Sequence, residues 1–234
     1  MNFSASDINT YEFCPRQWHY EHVINREEAD RIAIQVKAEN TDVGVYVHKS
    51  IDKYYQLISE RVIDENVIRQ TVEEAFSSDT RYDNMRTKKI IDNFVKFELE
   101  RVKAKDFVPQ FTEKRLETDI QGLHVVGVID AMFKNGTCID WKTGNNVEME
   151  NFTRQGNIYR ILLQNNGIYV NKILFVMLLT GQKIEIPFST DAWIVAEFGK
   201  IDANNVTPNR GSWCKFCPFE LNCETEGEEI WNLL

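Results

Sequence analysis

The 234-residue sequence contains little glycine and proline and lacks a long hydrophobic run. With 11 Gly and 5 Pro residues, it has the composition neither of a collagen nor of a chain of flexible linkers. The longest apolar run, Ile173–Leu179, is far shorter than the roughly 20 residues that span a bilayer. Hydrophobic residues make up 43% and charged residues 27%, so we expect a folded chain large enough to bury a sizeable core.

Basic residues are also in short supply, because 27 Lys and Arg face 36 Asp and Glu and give a net charge of −9. Taken as a total, this charge argues against a nucleic-acid partner, since phosphate binding needs cations. Residues 81–115 depart from the average, however, with ten Lys or Arg against six acidic residues. This distribution predicts a local basic surface, and the total charge therefore does not exclude DNA.

Cysteine is sparse and odd in number, so its five residues cannot form a fully paired disulfide framework. The first residues, MNFSASDINTYEF, have neither the basic nor the apolar stretch of a signal peptide. We therefore expect a cytoplasmic, reducing location, where clustered cysteines more often bind metal than form disulfides.

Hydrophobic periodicity and turn signals predict alternating helices and strands. Helices are predicted from Ser4 to near Cys14, where Pro15 interrupts, and over 43–60, 64–77, 84–105, 148–164 and 191–200. Strands are predicted over 111–120, 123–133, 137–142, 172–180 and 183–188. Three meandering strands, a crossover helix and a further strand indicate an α/β fold with a mixed sheet, flanking helices and one core.

Two acidic residues occupy corresponding places on neighbouring predicted strands. Asp130 ends the run Gly127-Val-Ile-Asp, and Asp140 begins Asp-Trp-Lys-Thr-Gly after the Asn135–Gly136 turn. Pairing of these strands brings the carboxylates together, and a divalent cation relieves their repulsion. Asp140 and Lys142 are two positions apart and emerge on one strand face, which places an ammonium beside that cation. An isolated D-x-K is also common at surface turns, so the interpretation depends on its strand context.

These motifs resemble the RecB-like branch of the PD-(D/E)xK nuclease superfamily, which adds an upstream helical His and a downstream Q-x-x-x-Y helix. The resemblance implies a restriction-endonuclease-like fold and Mn²⁺ or Mg²⁺ as cofactor. It implies metal binding by His48, Asp130, Asp140 and the Trp141 carbonyl, and catalytic roles for Asp130, Asp140, Lys142, Gln155 and Tyr159. Glu113 is a further candidate acid. Without the resemblance, His48 reads as a packed helix histidine, Gln155 as a surface residue and Tyr159 as half-buried.

Three of the cysteines cluster near the C-terminus as Cys214-x-x-Cys217-Pro, with Cys223 six residues later. This spacing suits zinc or an iron–sulfur cluster, and Cys14, also followed by proline, is the natural fourth ligand. Cys138 falls in a predicted central strand and is expected to be a core residue.

The cysteine pattern around the nuclease motifs looks like that of the CRISPR-associated Cas-four family and the iron–sulfur nuclease domain of AddB. The resemblance implies a structural 4Fe-4S cluster on Cys14, Cys214, Cys217 and Cys223, which would join the chain ends. The interpretation is one nuclease domain over 1–234, with 1–25 and 205–234 as the cluster region, 43–108 as a helical region and 109–200 as the nuclease core.

Together the motifs predict a metal-dependent DNA exonuclease acting at single-stranded or frayed ends. The resemblance adds a role in CRISPR spacer acquisition and antiviral defence. The partners implied are DNA and CRISPR integrase proteins or a helicase subunit, with no membrane and with a homo-oligomer left open. The alternative is a non-cleaving subunit that binds DNA ends or a partner in an integration or recombination complex.

Overall fold

The computed structural model describes residues 2–23, 39–77, 83–220 and 223. The elements are β1 (Asn2–Phe3), α1 (Ala5–Phe13), α2 (Pro15–His22), α3 (Glu39–Ile58), α4 (Glu65–Phe76), α5 (Met85–Arg101), β2 (Phe111–Ile120), β3 (Leu123–Met132), β4 (Thr137–Lys142), α6 (Met149–Asn165), β5 (Lys172–Met177), β6 (Gln182–Glu185), α7 (Asp191–Phe198) and a 3-10 turn at Cys214–Phe216. Parts of two predicted regions lie outside the described residues: 1, 24–25, 221–222 and 224–234 of the cluster region, and 78–82 of the helical region. Within the described ranges, no helix has the length and apolar character needed to cross a bilayer.

The strands form one mixed sheet in the order β1-β3-β4-β5-β6, with β2 also paired to β3. β2, β3 and β4 form the expected antiparallel meander, and β5 lies parallel to β4 after the α6 crossover. The parallel register places Asp140 beside Phe175 and Lys142 beside Met177. The predicted mixed α/β sheet is thus confirmed, although β6 ends at Glu185 rather than 188.

The two faces of the sheet are covered by different helices, which divides the hydrophobic core into two clusters. Along β5, Ile173, Phe175 and Met177 belong to the cluster shared with α6. Val176 and Leu178 belong to the cluster shared with α3, α4 and α5. The prediction of one core is therefore wrong in detail, because a sheet buried on both faces separates the side chains that point to opposite sides.

Proline explains the one described helix that the sequence interpretation missed. α1 ends at Phe13, as the position of Pro15 predicts, but α2 begins at once with Pro15 in its first position. Proline is favoured there because the N–H groups of the first helical turn have no acceptor within the helix. A proline at this position therefore costs no hydrogen bond. The break leaves Cys14 in extended conformation between two helices.

The side chain of Arg154 in α6 links the N-terminal helix α1 to α7. This side chain is fully buried and donates to Glu12 in α1, Glu197 in α7 and Asn9 in α1. Breaking a buried charge pair of this kind by removing one partner typically costs about 3–5 kcal/mol of stability. The contact places α1, and with it Cys14, beside the start of α6.

Candidate active site

Asp140 and Lys142 lie on the face of β4 that α6 covers. Lys142 Nζ is 2.8 Å from Asp140 Oδ2, as the two-residue spacing predicts. The intervening Trp141 points to the other face, where its buried ring packs against Phe94 at 5.5 Å and Phe97 at 5.1 Å between ring centroids. The end of β4 therefore packs into the hydrophobic core on one face and presents the charged side chains of Asp140 and Lys142 on the other.

Gln155 joins the carboxylate and the ammonium of the D-x-K strand. Its Oε1 accepts a hydrogen bond from Lys142 Nζ at 2.9 Å, and its Nε2 donates to Asp140 Oδ1 at 3.0 Å. Tyr159, one helical turn later, donates to the same Asp140 oxygen at 3.1 Å. The Lys142 ammonium also lies 5.1 Å from the centre of the Phe175 ring, which restricts its position further. The predicted Q-x-x-x-Y pair thus faces the D-x-K strand.

Asp130 lies where β3 and β4 separate. The pairing of these strands includes Ala131 with Ile139, and the Asp130 carboxylate then accepts the Trp141 N–H at 2.8 Å. His48, in α3, reaches the same point from the opposite side of the sheet. Its Nε2 is 3.0 Å from the Trp141 carbonyl oxygen, and its Nδ1 is 3.5 Å from Asp130 Oδ2. The structure therefore brings His48, Asp130 and the Trp141 carbonyl together.

Glu113 completes this group from β2. Its Oε1 lies 3.2 Å from His48 Nδ1, and the ligand atoms of Glu113, His48 and Asp130 all lie within 4.8 Å of one another. Glu113 has φ = 45°, a left-handed conformation that costs a non-glycine residue about 1–2 kcal/mol. A strained backbone at this point is consistent with a functional requirement on the position of the carboxylate.

Burial and the carboxylates around His48 shift the pKa values of His48 and Asp130. Burial disfavours a charged His48, but the Glu113, Asp130 and Asp140 carboxylates outweigh it and raise the pKa of His48 to about 9. Burial, followed by repulsion from Asp140, raises the pKa of Asp130 to about 8. The carboxylates that raise these pKa values would equally favour a cation between them.

The residues present fit a divalent ion. Asp140 Oδ2 is buried and accepts no hydrogen bond within the described chain, because its contact with Lys142 lacks hydrogen-bond geometry. The His48 imidazole lies between the other donors, with Nε2 at 3.0 Å from the Trp141 oxygen and Nδ1 facing the Glu113 and Asp130 carboxylates. Carboxylate and carbonyl oxygens with one imidazole nitrogen suit Mn²⁺ or Mg²⁺.

A different cavity, of about 230 Å³, lies between α2 and the C-terminal segment and is lined by Cys14, Cys214, Cys217 and Cys223. Burial, and then the nearby Cys14, Cys223 and Cys214, raise the pKa of Cys217. Among these described residues, however, no three sulfurs lie within 4.8 Å of one another. Cys138 is separate from them and fully buried in β4, which confirms its expected place in the core.

A family model for the PD-(D/E)XK nuclease superfamily matches residues 2–224 of the sequence. The chain belongs to the PD-(D/E)XK nuclease superfamily. It is accordingly a nuclease, and members of this superfamily use divalent metal ions. The family match covers both the sheet and the cysteine-lined cavity.

Two solved structures resemble the nuclease at low sequence identity. The protein named SSO0001 is 18% identical, with a TM-score of 0.50, and the match covers 94% of this chain and 84% of that one. A candidate exonuclease from Eubacterium rectale is 14% identical, with a TM-score of 0.49 and coverage of 92% and 86%. At this level of identity the first likeness shows the fold alone. No curated protein matches the sequence of the nuclease significantly.

One residue near the site of the nuclease escaped the sequence interpretation. Arg86, exposed in the first turn of α5, donates from Nη2 to the Thr143 carbonyl at 3.3 Å, directly after Lys142. Its position was not predictable because 57 residues separate it from Thr143 and no local pattern connects them. The basic count of residues 81–115 was the only available signal.

Proposed function

We propose that this nuclease is a DNA exonuclease that hydrolyses phosphodiester bonds at single-stranded or frayed ends with a divalent metal ion. One observation carries the proposal: Asp140 shares contacts with Lys142, Gln155 and Tyr159 on one side. The adjoining group of His48, Asp130 and Glu113 supplies the other donors.

The residues have distinct roles in this proposal. His48, Asp130, Asp140 and the Trp141 carbonyl would hold the ion, which when bound supplies a water of lowered pKa and neutralises phosphate charge. Lys142 holds its ammonium where negative charge develops on the reacting phosphate, and Gln155 fixes that ammonium in position. The Trp141 N–H holds the Asp130 carboxylate in one orientation. Arg86 adds a second cation near the end of β4, where the substrate's backbone would approach.

The proposal is tested by cleavage of end-labelled linear DNA and of closed circular single-stranded DNA with Mn²⁺. We expect wild type to shorten linear single strands and to leave the circles intact, because a circle has no end. Asp140→Ala and Lys142→Ala should each remove cleavage. Asp119→Ala and Lys134→Ala provide matched controls on exposed positions of β2 and the β3–β4 turn and should cleave as wild type.

Each result has a defined meaning. Cleaved circles would contradict the exonuclease assignment while leaving a nuclease. Equal cleavage by wild type, Asp140→Ala and Lys142→Ala would contradict the assignment of these residues to the active site. Binding of DNA ends by wild type without any cleavage would favour the alternative of a non-cleaving end-binding subunit.

We propose further that Cys14, Cys214, Cys217 and Cys223 hold a 4Fe-4S cluster with a structural role. All four line one cavity, which supports a shared ligand. Thiolates around a single zinc ion stand about 3.8 Å apart, given Zn–S bonds of about 2.3 Å. A cubane cluster binds each cysteine to a different iron, so its thiolates stand farther apart than those around one zinc ion. Arg16 Nη1, 3.8 Å from Cys223 Sγ, supplies a cation beside the thiolates.

Metal analysis distinguishes the two cofactors. Protein purified without oxygen should contain four iron and four sulfide per chain, as the 4Fe-4S formula requires. It should also show a broad visible absorption, which Cys217→Ala abolishes. One zinc per chain without sulfide would contradict the 4Fe-4S assignment and indicate a structural zinc site. Cys138→Ala is the matched control and should retain the iron.

The biological setting that we propose is the trimming of spacer precursors during CRISPR adaptation, together with a DNA integrase. The support is the cysteine and nuclease motif order, which resembles that of the Cas-four family. Integrase genes beside the gene for this chain, and trimming of precursor overhangs in the presence of that integrase, are the expected findings. A neighbourhood of helicase genes would instead favour a recombination complex.

A further inference from the structure

Two aromatic side chains are exposed beside the cysteine-lined cavity. Phe13, at the end of α1, is 46% exposed, and Trp213, just before the Cys214 turn, is 39% exposed. Their ring centroids are 5.7 Å apart with an angle of 56° between the planes. They come from segments 200 residues apart in the sequence, so their meeting is a product of the fold and not of local chain geometry.

Specific contacts hold both rings in place. Trp213 Nε1 donates to the Asn209 carbonyl at 3.1 Å, and Asn209 Nδ2 donates to the Phe13 carbonyl at 2.8 Å. The Trp213 ring also lies so close over Gly211 that a Cβ there would overlap it. These contacts restrain the Trp213 ring and the backbone of Phe13 before any ligand binds, which lowers the entropic cost of binding.

The rings form part of a groove of about 430 Å³, within the size range of ligand pockets. Its other walls include amide and hydroxyl side chains of α1, α2 and α6, the Glu148 carboxylate and Cys217, with Asn9, Thr10, Gln17 and Asn151 as the neutral polar groups. Among the described residues that line it, none is Lys or Arg. The groove thus offers stacking surfaces beside polar groups and one carboxylate, without phosphate-binding charge.

The groove leads to the candidate active site along α6. Asn151 lines the groove, and Gln155, four residues later on the same helix face, contacts Lys142 and Asp140. One helical turn therefore separates the groove wall from the residues that face the scissile phosphate in the proposed mechanism.

We propose that this groove binds unpaired nucleotides of a DNA single strand, with Phe13 and Trp213 stacking on a base. The inference rests on the proposed function and specifies its substrate. Bases in a duplex stack on each other and present no free face, whereas every unpaired base does. The groove selects a single strand over a duplex.

Binding without added divalent metal tests this site separately from cleavage. The probes are fluorescein-labelled oligothymidine and a duplex of the same length, followed by fluorescence anisotropy. Trp213→Leu and Phe13→Leu should each weaken oligothymidine binding about tenfold, the factor that one stacked base contributes. The duplex affinity and the salt slope should not change, because the groove lacks phosphate-binding charge.

Two further variants keep the result interpretable. Trp213→Phe retains a stacking ring and should bind oligothymidine nearly as wild type does, which separates stacking from folding. Tyr169→Leu, 69% exposed beside Gly136 at the far end of β4, is the matched control and should leave binding unchanged. If Trp213→Leu and Phe13→Leu bind oligothymidine as tightly as wild type, or if Trp213→Phe loses as much affinity as Trp213→Leu, the groove assignment is wrong.

The outcomes also separate this proposal from the proposed function. Wild type that cleaves DNA, with variants that bind oligothymidine normally, would reject the groove and keep the nuclease mechanism. Wild type that does not cleave, with variants that bind weakly, would reject the exonuclease and keep the groove as a single-strand binding site.

Discussion

At the scale of single residues, Gln155 is the side chain on which the arrangement of Asp140 and Lys142 depends. Its amide accepts from the ammonium through Oε1 and donates to the carboxylate through Nε2 at the same time. A carboxylate at this position would keep the contact with Lys142 and repel Asp140.

Gln155→Glu should therefore lower kcat about 10- to 100-fold, since a hydrogen bond to a charged group contributes about 1.5–3 kcal/mol. The measurement is single-turnover cleavage of linear DNA at saturating Mn²⁺. Gln164→Glu makes the same change two turns later on α6, beside Arg160, and should cleave normally. An unimpaired Gln155→Glu enzyme would show that Gln155 does not position these groups.

Glu113 offers a test of strain against function. Glu113→Gly relieves the left-handed backbone, which outweighs the loss of the half-exposed contact with His48, so the free energy of unfolding should rise by up to about 1 kcal/mol. The same change should reduce cleavage at least about tenfold, as loss of a partner of a metal ligand usually does. Thermal unfolding and cleavage are measured on the same preparation.

The matched control for Glu113 is Gln121→Gly, since Gln121 has φ = 49° in the β2–β3 turn, away from the site. It should gain similar stability and keep full activity. A Glu113→Gly protein that is less stable, or that cleaves as wild type does, would contradict the account of this residue.

At the scale of elements, a buried carboxylate joins α3 to α5 beneath the sheet. Glu98, fully buried in α5, accepts hydrogen bonds from Tyr54 at 3.1 Å, Tyr55 at 2.8 Å and Arg101 at 2.8 Å. Burial raises the pKa of Glu98, although Arg101 and the two hydroxyls act in the opposite direction. The folded protein therefore holds this proton more tightly than the unfolded chain.

The direction of this shift sets the pH dependence. The stability that protonated Glu98 contributes is fully present below the ordinary pKa of a glutamate and is lost as pH rises through the raised value. The free energy of unfolding of wild type, measured with urea, should thus fall relative to that of Glu98→Gln as pH rises above the ordinary pKa of a glutamate, because glutamine cannot ionise. A stability difference that is constant, or that grows in favour of wild type with pH, would contradict a raised pKa.

Most elements near the site could be predicted because their signals are local. β2 and β4 have the predicted bounds, and the Asn135–Gly136 turn fixes the hairpin that brings Asp130 to Asp140. The parallel pairing of β5 with β4 could be predicted from the chain order, because the helix α6 connects the two strands. These features depend on periodicity and turn chemistry, which the sequence displays directly.

The features that escaped prediction depend on contacts between distant segments. The two-residue β1 pairs with β3 across more than a hundred residues, and nothing in its sequence distinguishes it from a loop. The Arg154 network joins three helices in the same way. Glu113 was recognised as an acid, but its left-handed φ is imposed by the sheet around it.

At the scale of the whole molecule, the negative total charge and the basic stretch have separate consequences. Lys88 and Lys89 are exposed on α5, the helix whose first turn reaches Thr143 through Arg86. Lys88 pairs with Asp83 at 2.7 Å, but both groups are exposed, so the pair contributes little and DNA can replace it.

Changing both Lys88 and Lys89 to Ala should weaken single-strand binding and reduce the slope of log affinity against log salt by about 1.4, if each lysine contacts one phosphate. The control changes Lys134 and Lys172 to Ala. Both lie near the ends of β4 and β5 that are farthest from Lys142, and this variant should leave the slope unchanged. An unaltered slope in the Lys88 and Lys89 variant would place the DNA path elsewhere.

The central claim is that His48, Asp130 and Asp140 hold a divalent ion and that Lys142 acts beside it without binding it. Calorimetric titration of Mn²⁺, with cleavage measured on the same samples, separates these roles. The account predicts that Asp140→Asn loses both Mn²⁺ binding and cleavage, whereas Lys142→Ala keeps Mn²⁺ binding and loses cleavage. Wild-type Mn²⁺ affinity in Asp140→Asn, or wild-type cleavage by Lys142→Ala, would contradict it.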